Sequence, residues 1–161
     1  LSLAITEATR AGDASVLAWA NMNVAQTDLL VGDRIGATAA IQRAIALLRQ
    51  TGDVPGLATA EGFLAQLRLD LGEFDEAARY YRAQRDLFER QGDVPRVLLA
   101  LSAQANVAAQ RGRLAEARAL LDTIELRAGR EHAAAWALSL PLHRARLSLL
   151  AGDGAAARRD L

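Results

Sequence analysis

The chain of 161 residues contains no cysteine and no lysine: all nineteen of its basic residues are arginine. The first absence removes disulfides, thiolate nucleophiles and cysteine-ligated metal centres. The second removes Schiff-base chemistry and the lysine of a phosphate-binding loop. Nineteen acidic residues balance the arginines, so no net field draws the surface to nucleic acid or anionic membrane. Aromatic residues make up only 4% of the chain, too few for the stacking platforms of single-strand binders. Apolar stretches such as Ala133 to Leu138 fall far short of the roughly 18 residues that span a bilayer. No basic-then-apolar leader follows Leu1, which predicts a segment of a longer, cytoplasmic chain. What the chain has in quantity is alanine, 36 residues of it, within a 52% hydrophobic composition that can supply a continuous core.

Glycine recurs at 12, 32, 52, 72, 92 and 112, and again at 152. Between these glycines the apolar residues keep helical spacing, as in Ile41, Ala44, Ile45 and Leu48, and no alternating run suggests a strand. Glycine adopts the left-handed conformation that ends a helix without strain, so a comb of period 20 delimits helices of about 16 to 18 residues. Two kinds of turn alternate. One reads Gly-Asp-Val-Pro at Gly52–Pro55 and Gly92–Pro95, where Asp53 and Asp93 are placed to cap the next helix. The other follows Ala25, Ala65, Ala105 and Ala145 by seven residues and precedes Ala37, Ala77, Ala117 and Ala157 by five. Small residues at two fixed points of each 40-residue unit let paired helices cross closely. Gly129 and Pro141 break the rhythm: a glycine three residues early, and a proline expected to start or bend its helix.

This pattern resembles the tetratricopeptide repeat, most clearly in Ala65, Gly72, Phe74, Ala77 and Tyr81. Its 40-residue period is similar to the longer repeats of kinesin light chains and of MalT or LuxR-like bacterial regulators. Asn21, Glu61, Leu101 and Pro141 stand where the family carries its early aromatic. The resemblance implies an all-α fold, a right-handed superhelical solenoid of antiparallel helix hairpins forming one array over 1–161. The end of one repeat occupies 1–13, full repeats follow at 14–53, 54–93 and 94–131, and a truncated one at 132–161. Apolar ends at Leu1, Leu3 and Ile5 and at 155–161 predict end-to-end association of such a segment.

In the family the groove is lined by first helices, at positions that fall here six and nine residues before the turn glycine. These columns read Gln26, Gln66, Asn106, Arg146 and Asn23, Phe63, Ala103, His143. Amides offer both donors and an acceptor, which suits the backbone of an extended peptide, and Phe63 offers an apolar contact. The alternative is a solvated helix stripe. A carboxylate clamp with cations in successive repeats is not expected, because only Arg146, with His143, supplies positive charge. Ser139 and His143 lie four apart but lack an orienting acid, and two histidines without a metal-binding spacing predict no metal and no cofactor. Trp19 and Trp136 read as packing anchors. The expected function is a protein- or peptide-binding scaffold without enzymatic activity, the alternative being the sensor segment of a bacterial transcription regulator.

Overall fold

A computed structural model describes residues 14–130 and 135–160, all of them helical apart from short turns. Among the described residues eight helices follow one another: α1 Ala14–Val31, α2 Arg34–Thr51, α3 Val54–Asp70, α4 Phe74–Gln91, α5 Val94–Gln110, α6 Leu114–Arg130, α7 Ala135–Leu150 and the short α8 Gly154–Arg159. No strand occurs among the described residues. None of these helices is long and apolar enough to cross a membrane.

Apart from Gly12, which lies outside the described residues, the glycine comb does what its spacing predicts. Gly32, Gly52, Gly72, Gly92, Gly112 and Gly152 all lie in the left-handed region, with φ between 67° and 84°. At each reversal the amide after the glycine reaches back five residues to a helix carbonyl, as Asp33 to Asp28, Glu73 to Arg68 and Arg113 to Ala108. This is the Schellman closure, which satisfies carbonyls a helix end would otherwise leave bare. Aspartates then start the next helix: the side chains of Asp33, Asp53, Asp93 and Asp153 accept from the amides of Gly36, Gly56, Arg96 and Ala156 at 2.8–3.1 Å. With stop and start two residues apart, consecutive helices must fold back on one another.

Two features on either side of the junction between the third and fourth repeats differ from the rhythm. Gly129 does not stop a helix: it keeps helical geometry inside α6, with nothing within 4 Å of where a Cβ would sit. Pro141 does not start one either, since α7 begins six residues earlier and runs through it.

The chain divides into two compact units, Leu1–Leu87 and Phe88–Leu161. In the first, α1 packs on α2 and α2 on α3, with Met22, Ile41, Ile45, Leu48, Leu64 and Leu67 in the shared core. There α4 joins α3 through Tyr81 and Gln84, whose side chains bond to Gln66 and to the Ala58 carbonyl. In the second, α5 packs on α6, α6 on α7 and α7 on α8, and Leu98, Val107, Leu121, Ile124 and Leu147 are buried. The alanine columns lie where the paired helices meet. All eight alanines, from Ala25 to Ala157, are buried to within 4%, and close approach explains why nothing larger stands there. An all-α succession of hairpins packed pairwise, each with a small residue at its crossing, is consistent with a tetratricopeptide-like helical solenoid. Leu1, Leu3 and Ile5 lie outside the described residues.

Candidate functional site

The seven candidate contact residues of the two columns, all but Ala103, meet different fates. In the first unit Asn23 and Gln26 are exposed on α1 and Phe63 is half-buried on α3. Gln66 is occupied: its amide nitrogen donates to Asp70 Oδ1 at 2.8 Å, and its oxygen accepts from the Tyr81 hydroxyl at 2.9 Å. Burial, with Asp70 nearby, pushes the Tyr81 phenol up to about 12, so the hydroxyl stays a donor throughout the physiological range. Beside it Gly62 has a packing role. A Cβ there would sit 2.1 Å from Gln84 Nε2, which passes under Gly62 to donate to the Ala58 carbonyl at 3.1 Å. A side chain at Gly62 would have to displace the Gln84 amide, so this helical glycine marks a place where α4 packs close on α3.

The second unit holds the corresponding residues 40 positions later, with different chemistry. Tyr81 becomes Leu121, which has no donor; Leu69 becomes Ala109, Gln66 becomes Asn106 and Gly62 becomes Ser102. Asn106 Oδ1 takes only a long bond from Gln110, 3.4 Å. Smaller and apolar groups leave a cavity of about 30 Å³ between α5, α6 and α7. Its floor is Ala105, Ala109, Ala117, Leu121, Leu147 and Leu150, and its polar groups are Ser102, Asn106, His143 and Arg146. Three of the seven expected residues therefore converge here. The fourth, Ser102, was missed, because a serine ten residues before a turn glycine is unremarkable until α7 is laid against α5.

His143 is the best-defined member. Its Nε2 lies 3.4 Å from Ser102 Oγ, and its ring stacks on Trp136 at 6.4 Å with a 29° interplanar angle. Burial, with Arg146 one turn along, holds its pKa below the ordinary histidine value. Ser139, its neighbour in sequence, instead faces the Trp136 carbonyl. Among the described residues the polar lining consists of a hydroxyl, an amide, an imidazole and a guanidinium, all of which form hydrogen bonds. A space that admits a water molecule or two takes the tip of a side chain, since pockets for whole small molecules run to about 300 Å³ or more. Trp136 packs as expected, whereas Trp19 is 46% exposed.

Two other polar places are structural in character. Where the family carries its early aromatic, Asn21 and Glu61 are buried and each meets an arginine of α2: Arg43 Nε donates to Asn21 at 2.9 Å, and Arg49 to Glu61 Oε1 at 3.0 Å. Glu61 Oε2 is buried without a partner. Burial pushes the Glu61 carboxyl up, and Arg49 and Arg79 offset only part of this. A wider polar opening of 390 Å³ between α6, α7 and α8 has its carboxylates engaged: Asp122 by Arg144, Asp160 by Ser148, and Asp153 as the α8 cap. Among the described residues no group of three or more His, Cys, Asp or Glu could hold a metal ion.

The hairpins themselves define the class, an all-α helical repeat. No family model matches the chain, and no curated protein does. Among solved structures it is similar to a tetratricopeptide repeat protein from Parabacteroides merdae, at 14% identity over 89% of this chain and 77% of that one, with a TM-score of 0.31.

Proposed function

We propose that the protein is a binding module that receives an extended segment of a partner protein along the exposed faces of its first helices. A tetratricopeptide-like fold suggests an interaction scaffold, and the α5–α7 cavity carries the reading further. There three residues that the family resemblance places in the groove, Asn106, His143 and Arg146, share one apolar-lined space with Ser102. The ligand contacts are assigned to Asn23, Gln26 and Phe63 in the first unit and to this group in the second. Gln66 is assigned to the margin, since Tyr81 and Asp70 already hold its amide.

Selection of random dodecapeptides on the immobilised protein, followed by anisotropy titration of the best binder, tests the proposal. Asn106→Ala combined with Arg146→Ala should weaken binding about tenfold or more, equivalent to roughly 1.4 kcal/mol. Unchanged affinity in that variant would assign the columns to ordinary solvated surface.

A further inference from the structure

Three large aliphatic side chains face solvent at one reversal of the first unit. Leu30 and Val31 end α1 and Ile35 lies in the first turn of α2, at 88%, 75% and 85% exposure, the highest values of any large apolar residue among the described residues. Chain reversal does not require them. Forty residues on, the same positions carry Asp70, Leu71 and Asp75, and eighty on they carry Gln110, Arg111 and Ala115, while the turn at Gly152 keeps only Leu150 as a large apolar residue. All four turns close with the same glycine conformation and the same backbone hydrogen bonds. An apolar triplet peculiar to one turn therefore marks a contact outside the chain.

The charges beside the triplet are arranged about Ile35. Successive residues of a helix lie about 100° apart, so Arg34 and Gly36 flank Ile35 on opposite sides of α2. Two carboxylates lie over Gly36: a Cβ there would sit 2.5 Å from Asp33 Oδ2 and 2.9 Å from Asp28 Oδ2. The apolar strip thus runs between a guanidinium and a pair of carboxylates, and such an arrangement complements itself. A two-fold axis through the strip sets Leu30, Val31 and Ile35 against a second copy of themselves and brings Arg34 of each chain toward Asp28 and Asp33 of the other. Two carboxylates against one guanidinium disfavour an anionic lipid surface. The area suits a weak dimer: three such side chains present on the order of 300 Å² of apolar surface, so two copies cover roughly 600 Å², and an interface about 57% apolar then totals roughly 1,000 Å², the lower bound for specific association.

We infer that the α1–α2 turn is a homodimer surface, on which two copies of the chain meet about a two-fold axis. It involves neither the columns assigned to a peptide nor the ends of the chain, and it stands whether or not a peptide binds. Sedimentation equilibrium of the whole chain from about 10 µM to 1 mM tests it, and the mean mass should climb from monomer toward dimer and stop there, because a two-fold contact closes on itself. Leu30→Gln with Ile35→Ala installs the neutral residues of the third repeat at exposed positions. It should raise the dissociation constant about tenfold or more, with helicity unchanged by circular dichroism. Arg34→Asp sets like charge against the other copy's carboxylates and should weaken the dimer to a similar degree. Asp28→Arg installs the second repeat's residue, Arg68, and removes half of the acidic flank. An equimolar mixture of these two variants should dimerise more tightly than either alone, because Arg34 of one chain again meets the carboxylates of the other. A mass that stays monomeric at the highest concentration would leave the turn to a different partner and overturn the inference. So would association that the variant at Leu30 and Ile35 leaves unchanged, that grows past the dimer, or that shows no preference for the mixed pair.

Discussion

The hairpin α3–α4 of the first unit and the hairpin α5–α6 of the second are built to the same register, yet they use their facing side chains in opposite ways. In the first, Tyr81 reaches across to Gln66, Gln84 passes under Gly62, and Leu69 is buried, so the polar groups are spent on holding the pair together. In the second, Leu121 offers no hydroxyl, Ile124 stands in place of Gln84, and Ala109 is small. The amide of Asn106 is left at the edge of a cavity. One phenolic hydroxyl and a few methylenes decide whether an amide in the same column is held across the hairpin or left at the edge of a cavity. Repeat register predicts where a side chain stands. Its availability depends on the partner it finds across the hairpin.

The largest expected effect tests what the hairpins share. Ala65→Leu and Ala105→Leu each insert a branched side chain at a helix crossing and should each cost roughly 1–3 kcal/mol by urea denaturation. A variant that lost nothing would show that its hairpin does not close on its alanine. Next comes an attempt to erase the difference by giving the second hairpin the side chains of the first. Ala109→Leu with Leu121→Tyr should fill the cavity and lower the affinity of a selected peptide about tenfold, or roughly 1.4 kcal/mol, while the fold is retained by circular dichroism. Undiminished binding would locate recognition elsewhere. A smaller pair of measurements contrasts the two amides directly. Tyr81→Phe removes a half-buried hydrogen bond and should cost about 0.5–1.5 kcal/mol of stability. Asn106→Ala, near solvent, should stay within roughly 0.5 kcal/mol. Equal losses would dissolve the distinction between the two amides.

The last prediction concerns the buried carboxylate of the first unit, and its readout is a direction. The folded pKa of Glu61 is raised, so its charged form weighs against folding at neutral pH. That burden is relieved as pH falls through the raised value toward the ordinary 4.5. Glu61→Gln retains an acceptor for Arg49 and should stabilise the protein at pH 7, with the gain shrinking on acidification toward pH 4. A gain that grew on acidification would mean that the ion pair with Arg49 outweighs burial.

The helices, their ends and their pairing were legible in the sequence because each rests on a local rule. A glycine with positive φ, an aspartate one residue on and small residues at fixed offsets act through bonds only a few residues long. The rhythm misled at Gly129, which keeps helical geometry; Pro141 stands inside its helix and does not open it, and Trp19 is 46% exposed. The candidate site was half legible. Column spacing singled out Asn106, His143 and Arg146, but neither the occupation of Gln66 nor the part of Ser102 could be read from positions 15 and 41 residues away from their partners.

The sequence by itself determined that this chain folds as helical hairpins and which positions turn or carry the small residues of each repeat, since backbone conformation and side-chain size act within one helix or one turn. Only the tertiary structure decided which column members are engaged by other side chains. Hydrogen bonding and burial depend on the side chain that arrives from another helix, and in this protein that side chain is Tyr81 at one hairpin and Leu121 at the next.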